Sequence, residues 1–585
     1  MREDQLQIAY SNSFHDSSIA IAKNDYLFAE AFERSAQCKR TMWMMPLFYF
    51  YSSMQNLIQK LKLENESKVL LLTTWKLSWD QILGAPLIFA FYWFQQHVSS
   101  IQIFRQKKYQ VSQGAILFQL HHILHLPIFK FVLQHILFQD RIKEIESKAI
   151  THHLCHASNG VFTSPFAECV VMSLDGSGEK GGGAFYHFKD NCFSMLGHCH
   201  AGLGLLYADV TSLCGFSPAK GEEWKVMGLA AYGKLLPSVY HYFKALIKIN
   251  GFKYDFSFGA KEIAQLEELV GTYRSANDPD ILKSADLAHS FQKAFSEAII
   301  EIARGLNQLG LSENLVYVGG CALNSAANGM ITSQSGFKSL HIPSAPGDDG
   351  NSLGAILYQR YVVEGRRRDL KYLSPYLGRE LDQTNLDRIL DFKGLRHEVL
   401  ADQNLLTQRV AKLLSDGNII GWMQGRAEFG PRALGNRSIL ADPRDPGMKV
   451  KINKLVKFRE EYRPLAPSIL EDHGSDYFEN YQTSYYMERT LVFKQAVKSK
   501  IPAVVHQDGT GRLQTVSKEM NPLYYLLIDQ FYKLTGVPLL VNTSLNIMGK
   551  PIVHSEEDSL SLFYTTGLNY LVIGNTLFIK ESTHV

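Results

Sequence analysis

The sequence predicts an α/β protein with more than one domain. Three observations carry that expectation. The chain has 585 residues, more than a single hydrophobic core of ordinary size encloses. Its composition is globular, 46% hydrophobic and 20% charged. Short apolar runs bounded by Gly, Asn and Asp alternate with longer stretches whose apolar residues recur at helical spacing, which is the signature of strands interleaved with helices.

The elements follow in order. "LQIAYSN" and "SSIAIAKNDYLFAEAFER" read as a strand, a turn and two further strands, with "KND" supplying the second turn. From Met42 to Phe138 the chain is rich in Leu, Phe, Ile and His. Its longest apolar run, Ile82–Phe94, is shorter than the ~18–20 residues a membrane span needs and contains Pro86. The segment is expected to form packed helices or an apolar lid, with no membrane span. His121, His122, His125 and His135 fall within it, and with no carboxylate nearby in sequence they are expected to serve helix packing. "AECVVMSLDGSGEKGGGAFYHF" reads as strand, glycine turn, strand, and "LAHSFQKAFSEAIIEIARGL" as an amphipathic helix. "NLVYVGGCALNSAANGM" is a strand, a Gly-Gly turn and a helix start. Near "VVEGRRRDLKYLSPYLG" charge density rises and periodicity breaks, so the domain boundary is placed there, giving 1–367 and 368–585 with an aromatic insertion at about 42–150. After it come a helix, the strand "GNIIGWMQ" and "VPLLVNTSLNIMGKP".

Charge and cysteine usage exclude several classes. A net charge of +3 is too small for bulk nucleic-acid binding and favours a local basic pocket. Seven cysteines at irregular spacing, with no CxxC, indicate neither a disulfide framework nor a cysteine zinc site. The start "MREDQLQIAY" has no signal-peptide pattern, so a reducing cytoplasm is expected. The oligomeric state is open, and a homo-oligomer is compatible.

Two constellations carry chemistry. In "THHLCHASNG", His152 and His156 share one face of a helix and can grip one ion. Asp175 ends an apolar strand in "SLDGSGE", and "PSAPGDDGNSLG" offers Asp348 and Asp349. Two imidazoles with carboxylates suit a six-coordinate divalent metal such as Fe(II). The second constellation is "GRAEFGPRALGNRSILADPR", Gly425–Arg444. Its arginines match phosphate or carboxylate in a two-pronged geometry, and its glycines let backbone N–H groups approach an anion. "FHDSSIAI", "DGSGEKGGG" and "VGGCALN" are turns of the kind that present N–H groups to phosphates. In this order on one α/β core they resemble the phosphate and adenosine turns of the actin/hexokinase ATPase fold.

The runs "HDSS…ER", "HHLCHA", "LDGSGE", "GEEWKVMGLAAYG", "GGCALN" and "GDDG" resemble the O-carbamoyltransferases of antibiotic, toxin and nodulation-factor pathways. The same family carries the arginine-glycine stretch, then "KINKLVKFREEYRPLAPSIL", "HQDGTGRLQTV" and "NTSLNIMGKPIV". The amino-terminal part resembles the tRNA threonylcarbamoyl-transfer enzyme, so a Kae1-like domain is implied. Lys457-Phe458-Arg459 and Ser544-Leu545-Asn546 match the KxR and SxN signature of a YrdC-like domain. The matches cover most of the chain apart from about 42–150.

The resemblance implies an ATP-dependent enzyme that makes carbamoyl-AMP from carbamoyl phosphate and ATP, with Mg(II), and passes the carbamoyl group to a hydroxylated small-molecule acceptor. Two polyanions meet in one pocket, which requires cations to offset their repulsion. Arg432, Lys457, Arg459, Arg463 and Arg512 are implied to hold carbamoyl phosphate and the ATP phosphates, with Ser544 and Asn546 bonding the carbamoyl and phosphate groups. Lys457 and Arg463 are implied to be catalytic, while Arg437 and Arg444 brace the loop with Asp442. His152, His156, Asp175 and Asp349 are implied ligands of a divalent metal, expected to be Fe(II). Gly176, Gly178, Gly319, Gly320 and Asn324 are implied to bind the adenylate, and His15 to act as general base toward the acceptor. Two departures stand out: "NTSLN" replaces the family's usual NTSFN, and Trp224 in "GEEWKVMG" is expected to shape the acceptor pocket. Trp75 and Trp93 in the insertion offer aromatic faces for a flat or cationic acceptor. Two other readings stand beside this one, a metal- and nucleotide-binding regulatory module and a tRNA threonylcarbamoyl-type enzyme. The paired sets of charged residues disfavour the first, and the small net charge the second.

Overall fold

A computed structural model describes residues 5–11, 16–39, 68–74, 130, 134, 142–270, 278–392 and 394–580. His15, Trp75, Trp93, His121, His122, His125, His135 and most of the segment from Met42 to Phe138 lie outside the described residues. Among the described residues no helix is long and apolar enough to cross a membrane.

Three mixed sheets organise the chain. The first contains β1 (Leu6–Ser11), β2 (Ser18–Lys23), β3 (Tyr26–Ala31), β4 (Lys68–Thr73) and β5 (Glu144–Ala149), in the order β3-β2-β1-β4-β5. The second contains β6 (Cys169–Leu174), β7 (Gly183–Lys189) and β8 (Cys192–Cys199). A small hairpin follows, β9 (Lys248–Asn250) with β10 (Lys253–Asp255), and then β11 (Asn314–Val318) and β12 (Ser339–His341) complete the second sheet in the order β12-β11-β6-β7-β8. The two five-stranded sheets therefore share one layout. In each, three antiparallel strands are followed by two more strands added in parallel beside the first. The parallel centre explains the sequence: β1 and β6 are buried along their whole length, so they read as continuous runs with little alternation.

Between these sheets lie the helices His152–Thr163 and Asn351–Tyr358, and one apolar core joins Ala9 and Leu72 of the first sheet to Val171 and Val316 of the second through Ala157, Val161 and Ile356. Gly354 makes the helix crossing close, since a Cβ there would stand 2.0 Å from the Cys155 carbonyl oxygen. On the other face of the second sheet, the predicted amphipathic helix spans Ala285–Asn307.

The third sheet has nine strands. They are β13 (His397–Val399), β14 (Ile420–Met423), β15 (Arg437–Ala441), β16 (Ala466–Leu470), β17 (Arg489–Val492), β18 (Thr510–Val516), β19 (Leu539–Ser544), β20 (Tyr570–Ile573) and β21 (Thr576–Ile579), in the order β13-β21-β20-β14-β15-β19-β16-β18-β17. No strand before residue 397 pairs into it among the described residues. Helices Gln403–Ser415 and Pro522–Thr535 contribute Val410, Leu414, Leu527 and Phe531 to its core, with Trp422 fully buried.

Candidate active site

The parallel pairing of β6 with β11 places Asp175 and Gly319 just beyond the same sheet end. Ligands of parallel sheets gather at carboxyl ends. The helix His152–Thr163 points its first turn there. Glu179 receives the His152 backbone N–H at 2.8 and 3.0 Å, a negative charge at the positive end of the helix dipole.

His152 and His156 lie one turn apart with their Nε2 atoms 3.1 Å from each other. Asp175 Oδ2 is 3.4 Å from His152 Nε2 and 2.9 Å from His156 Nε2. Asp348 Oδ1 is 3.4 and 3.3 Å from the same two atoms. All four ligand atoms lie within 4.8 Å of one another. The carboxylate that converges with the two histidines is that of Asp348, where the expectation had named Asp349. Asp348 and Asp349 are neighbours in one turn of 3-10 helix, so they point in different directions. Asp349 Oδ1 accepts the Gly350 N–H at 3.1 Å, and burial with the nearby Asp16, Glu33 and Asp348 charges pushes its carboxyl up to about 8.

The cluster fits a cation. His156 Nε2 faces His152 Nε2, both carboxylates and the Asn351 amide at 3.2 Å, more partners than one ring nitrogen can serve. A divalent ion at that convergence satisfies them together. Burial would depress His152, but the Asp348 and Asp175 carboxylates overcome it and raise the imidazole to about 10. Burial opposes ionisation of Asp348 too, yet the two histidines hold it well below the usual carboxylate range. Each set thus stabilises charge on the other, as expected where opposite charges converge out of water.

The glycine turns border this cluster. The Asp175 carboxylate accepts the Gly176 N–H at 2.7 Å. A Cβ on Gly178 would stand 2.3 Å from the His153 ring, and Gly319 adopts φ +90 against the Leu174 carbonyl. Gly320 lies beside Asp175 Oδ1. Asn324 caps the helix Ser325–Ser335 and pairs reciprocally with Gln292 at 3.0 Å.

The arginine-glycine stretch divides its charges by task. Arg437 is fully buried and donates to the carbonyls of Gln424, Asn436, Arg379 and Gly425. Arg426 donates to Leu27, Leu377 and Gly378 carbonyls and stacks on Tyr26. Arg444 forks onto Asp442 at 2.6–3.0 Å. Glu428 ties the loop by receiving three backbone N–H groups, from Leu434, Asn436 and Arg437. Arg432 is left at the rim, with one long contact of 3.4 Å to the Leu323 carbonyl in the "GGCALN" turn.

Other cations gather with Arg432. Burial depresses the Lys457 ammonium well below its usual range, and Arg459, Lys39 and Arg463 push the same way. Burial, Arg463 and Arg512 lower Arg459 to about 9, and burial with Arg512 lowers Arg432. Lys457 Nζ is held by Ser544 and Asn546, donating to the Asn546 Oδ1 at 2.5 Å and the Ser544 Oγ at 3.1 Å. Phe458, between Lys457 and Arg459, takes the left-handed φ of 49 and is half-exposed. Arg463 pairs with Glu460 at 2.6 Å. The Nε atoms of Arg463 and Arg512 are buried without a protein partner. Concentrated cations with buried unpaired donors are the electrostatic form of a polyanion pocket.

The structure brings together the second-half residues that the sequence nominated, but the sequence reading missed several others. Asn351, in the same "GDDGNSLG" run, contacts both His152 and His156. Lys39 joins the cation cluster from the first sheet's side. Trp224 stands over the Arg463 guanidinium at 4.3 Å, a contact the sequence did not suggest.

Comparison with known proteins decides the family. The family model described as carbamoyltransferase N-terminus matches residues 8–357, and that described as carbamoyltransferase C-terminus matches residues 411–580. The chain belongs to the carbamoyltransferase family. It is a carbamoyltransferase enzyme. It is similar to the uncharacterized protein sll1178 of Synechocystis, at 35% identity over 74% of this chain and 76% of that protein. It is also similar to the nodulation protein NolNO of Sinorhizobium fredii, at 33% over 77% and 67%, and to the nodulation protein NolO of Bradyrhizobium diazoefficiens, at 33% over 74% and 79%. Among solved structures, HypF of T. kodakarensis aligns at a TM-score of 0.34 and 13% identity over 62% of this chain and 49% of that one.

Proposed function

We propose that this carbamoyltransferase is an ATP-dependent O-carbamoyltransferase with two sites. Residues 1–367 would form a Kae1-like transfer domain and 368–585 a YrdC-like adenylating domain, working in the cytoplasm. The shared layout of the first two sheets supports an actin/hexokinase-like duplication, and the separate nine-stranded sheet supports a second domain.

In the adenylating step, carbamoyl phosphate, ATP and water give carbamoyl-AMP, pyrophosphate and phosphate. The carbamoyl phosphate gives up its phosphoryl bond to water, and the carbamate oxygen attacks the α-phosphorus as pyrophosphate leaves. Arg432, Lys457, Arg459, Arg463 and Arg512 hold the phosphates, whose negative charge offsets the repulsion among these cations. Ser544 and Asn546 orient Lys457 and bond the carbamoyl group. Magnesium accompanies ATP.

In the transfer step, the acceptor hydroxyl attacks the carbamoyl carbon and AMP leaves. His152, His156, Asp175 and Asp348 would hold a divalent metal such as Fe(II), which supplies Lewis-acid neutralisation of the adenylate phosphate when bound. Gly176, Gly178, Gly319 and Gly320 let backbone N–H groups face that phosphate, and Asn324 sets the third turn. His15 is the proposed base for the acceptor proton.

The observation that carries this reading is the pairing, in one chain, of a metal-fit His/Asp cluster with a separate cation cluster centred on Lys457. Its test is separation of the half-reactions. Arg463→Ala is expected to abolish carbamoyl-phosphate-dependent pyrophosphate release. His156→Ala is expected to retain it and to lose acceptor carbamoylation, read as a carbamoyl mass gain on a hydroxylated natural-product panel. Equal loss of pyrophosphate release in the two folded variants would show that the labour is not divided this way.

A further inference from the structure

We infer that Trp224, carried by the first half of the chain, is a positioning residue of the adenylating site in the second half. The inference rests on the proposed role of Arg463. Trp224 lies in the short helix Glu223–Leu229, far in sequence from the arginines it meets. Its ring covers the face of the Arg463 guanidinium at 4.3 Å, well inside the range at which an aromatic face attracts a cation. The neighbouring Lys225 pairs with Glu222 at 2.6 Å and reaches Glu460 at 3.7 Å. Glu460 in turn holds Arg463 Nη2 at 2.6 Å. Eight residues after Trp224, the Tyr232 hydroxyl donates to the Tyr462 carbonyl at 3.0 Å and receives Lys449 Nζ at 3.2 Å.

These contacts fix Arg463 from three directions. Its face is covered by Trp224, one Nη by Glu460, and the preceding residue's carbonyl by Tyr232. Nη2 also reaches the Met548 sulfur at 3.9 Å, while Nε is buried and without a protein partner. A planar guanidinium held by its face and one corner presents its remaining donors in one fixed direction. Arg463 is also pressed by like charge, since it lowers Lys457 and Arg459. Without a π face over it, such a side chain has reason to swing away from its neighbours. Trp224 therefore keeps Arg463 aimed into the pocket, and the first half of the chain helps to complete a site whose arginines lie in the second.

The test compares Trp224→Leu, which fills space without a π face, with Trp224→Phe, which restores one. Pyrophosphate release is measured in the full chain against carbamoyl phosphate. Trp224→Leu is expected to raise the KM for carbamoyl phosphate about tenfold with kcat within about twofold, the size of a desolvated cation–π contact. Trp224→Phe is expected to recover most of that loss, and neither variant is expected to change the KM of the acceptor. An unchanged KM in Trp224→Leu, while Arg463→Ala abolishes release, overturns the inference and leaves the adenylating site standing. Equal losses in Leu and Phe variants with a lowered melting temperature overturn it in favour of packing, and a change confined to the acceptor KM overturns it in favour of an acceptor wall. Full release in Arg463→Ala overturns both the inference and the role of Arg463 beneath it.

Discussion

Replacing Asp348 by asparagine removes one charge from the ligand cluster and leaves its volume almost unchanged. Asp348 Oδ1 faces both imidazoles, 3.4 Å from His152 Nε2 and 3.3 Å from His156 Nε2. A unit charge about 4 Å from a cation is worth about 4 kcal/mol at an effective dielectric of about 20. The amide oxygen that replaces it keeps part of the coordination. A net loss of about 3 kcal/mol, or about a hundredfold in affinity, is the expected result. Asp349→Asn is the matched control. Its carboxylate is outside the four-ligand set and accepts the Gly350 N–H instead, so its affinity is expected to stay within about threefold. The assay is competition for Fe(II) or Mn(II) against a chromophoric chelator under anaerobic conditions, with metal content checked by elemental analysis. A loss in Asp349→Asn equal to or greater than that in Asp348→Asn would refute the assignment of the fourth ligand.

Two further predictions concern charge in other settings. Arg437→Met removes four buried donor contacts; the Asn436, Arg379 and Gly425 carbonyls keep the Gln424, Ala427 and Leu381 N–H groups while the Gln424 carbonyl loses its donor, so a loss of about 2–3 kcal/mol is expected. Arg432→Ala, at the rim, should keep its melting temperature and lose pyrophosphate release; the opposite pattern in calorimetry and activity counts against the division of the arginines. Glu30 is buried between the halves, and burial pushes its carboxyl up to about 7 from 4.5 despite Arg379 and Arg34. The native state therefore holds this proton above the pH at which the unfolded chain releases it. Stability from this group is full below about 4.5 and falls until about 7, by up to about 3 kcal/mol. Glu30→Gln should match the wild type near pH 4.5 and exceed it at pH 8 in urea unfolding; a gap independent of pH would exclude the effect.

Much of the fold was legible because its signals are local. The "KND" turn places Asn24 at φ 51 between β2 and β3, as the polar triplet between apolar runs implied. The helix Ala285–Asn307 announced itself by periodicity. The shared layout of the first two sheets left no such trace, because it is kept by which strands hydrogen-bond and not by which residues recur. In the site, the HxxxH spacing gave both imidazoles, since helical geometry converts a spacing of four into one face. The choice between Asp348 and Asp349 was not legible. Adjacent residues in one turn differ only in the direction their side chains leave the backbone, and that direction depends on the packed context.

The arginine-glycine stretch shows why charge density in a motif overstates the number of ligand contacts. A loop that must present one cation at a rim has to be held rigid from behind, and its own backbone supplies carbonyls that need donors. Arginine, with five donors and a fixed plane, meets that need better than any neutral side chain. Arg426 and Arg437 serve it through carbonyls, and Arg444 through Asp442. Glu428 does the complementary work for the backbone N–H groups. Arg432 can then face its like-charged neighbours because its loop cannot move away from them. The cations that surround Lys457 come from four separate stretches of sequence, at Lys39, Arg432, Arg459–Arg463 and Arg512. No single motif could have shown that convergence, and it is the convergence, more than the motif, that makes the pocket suited to two polyanions at once.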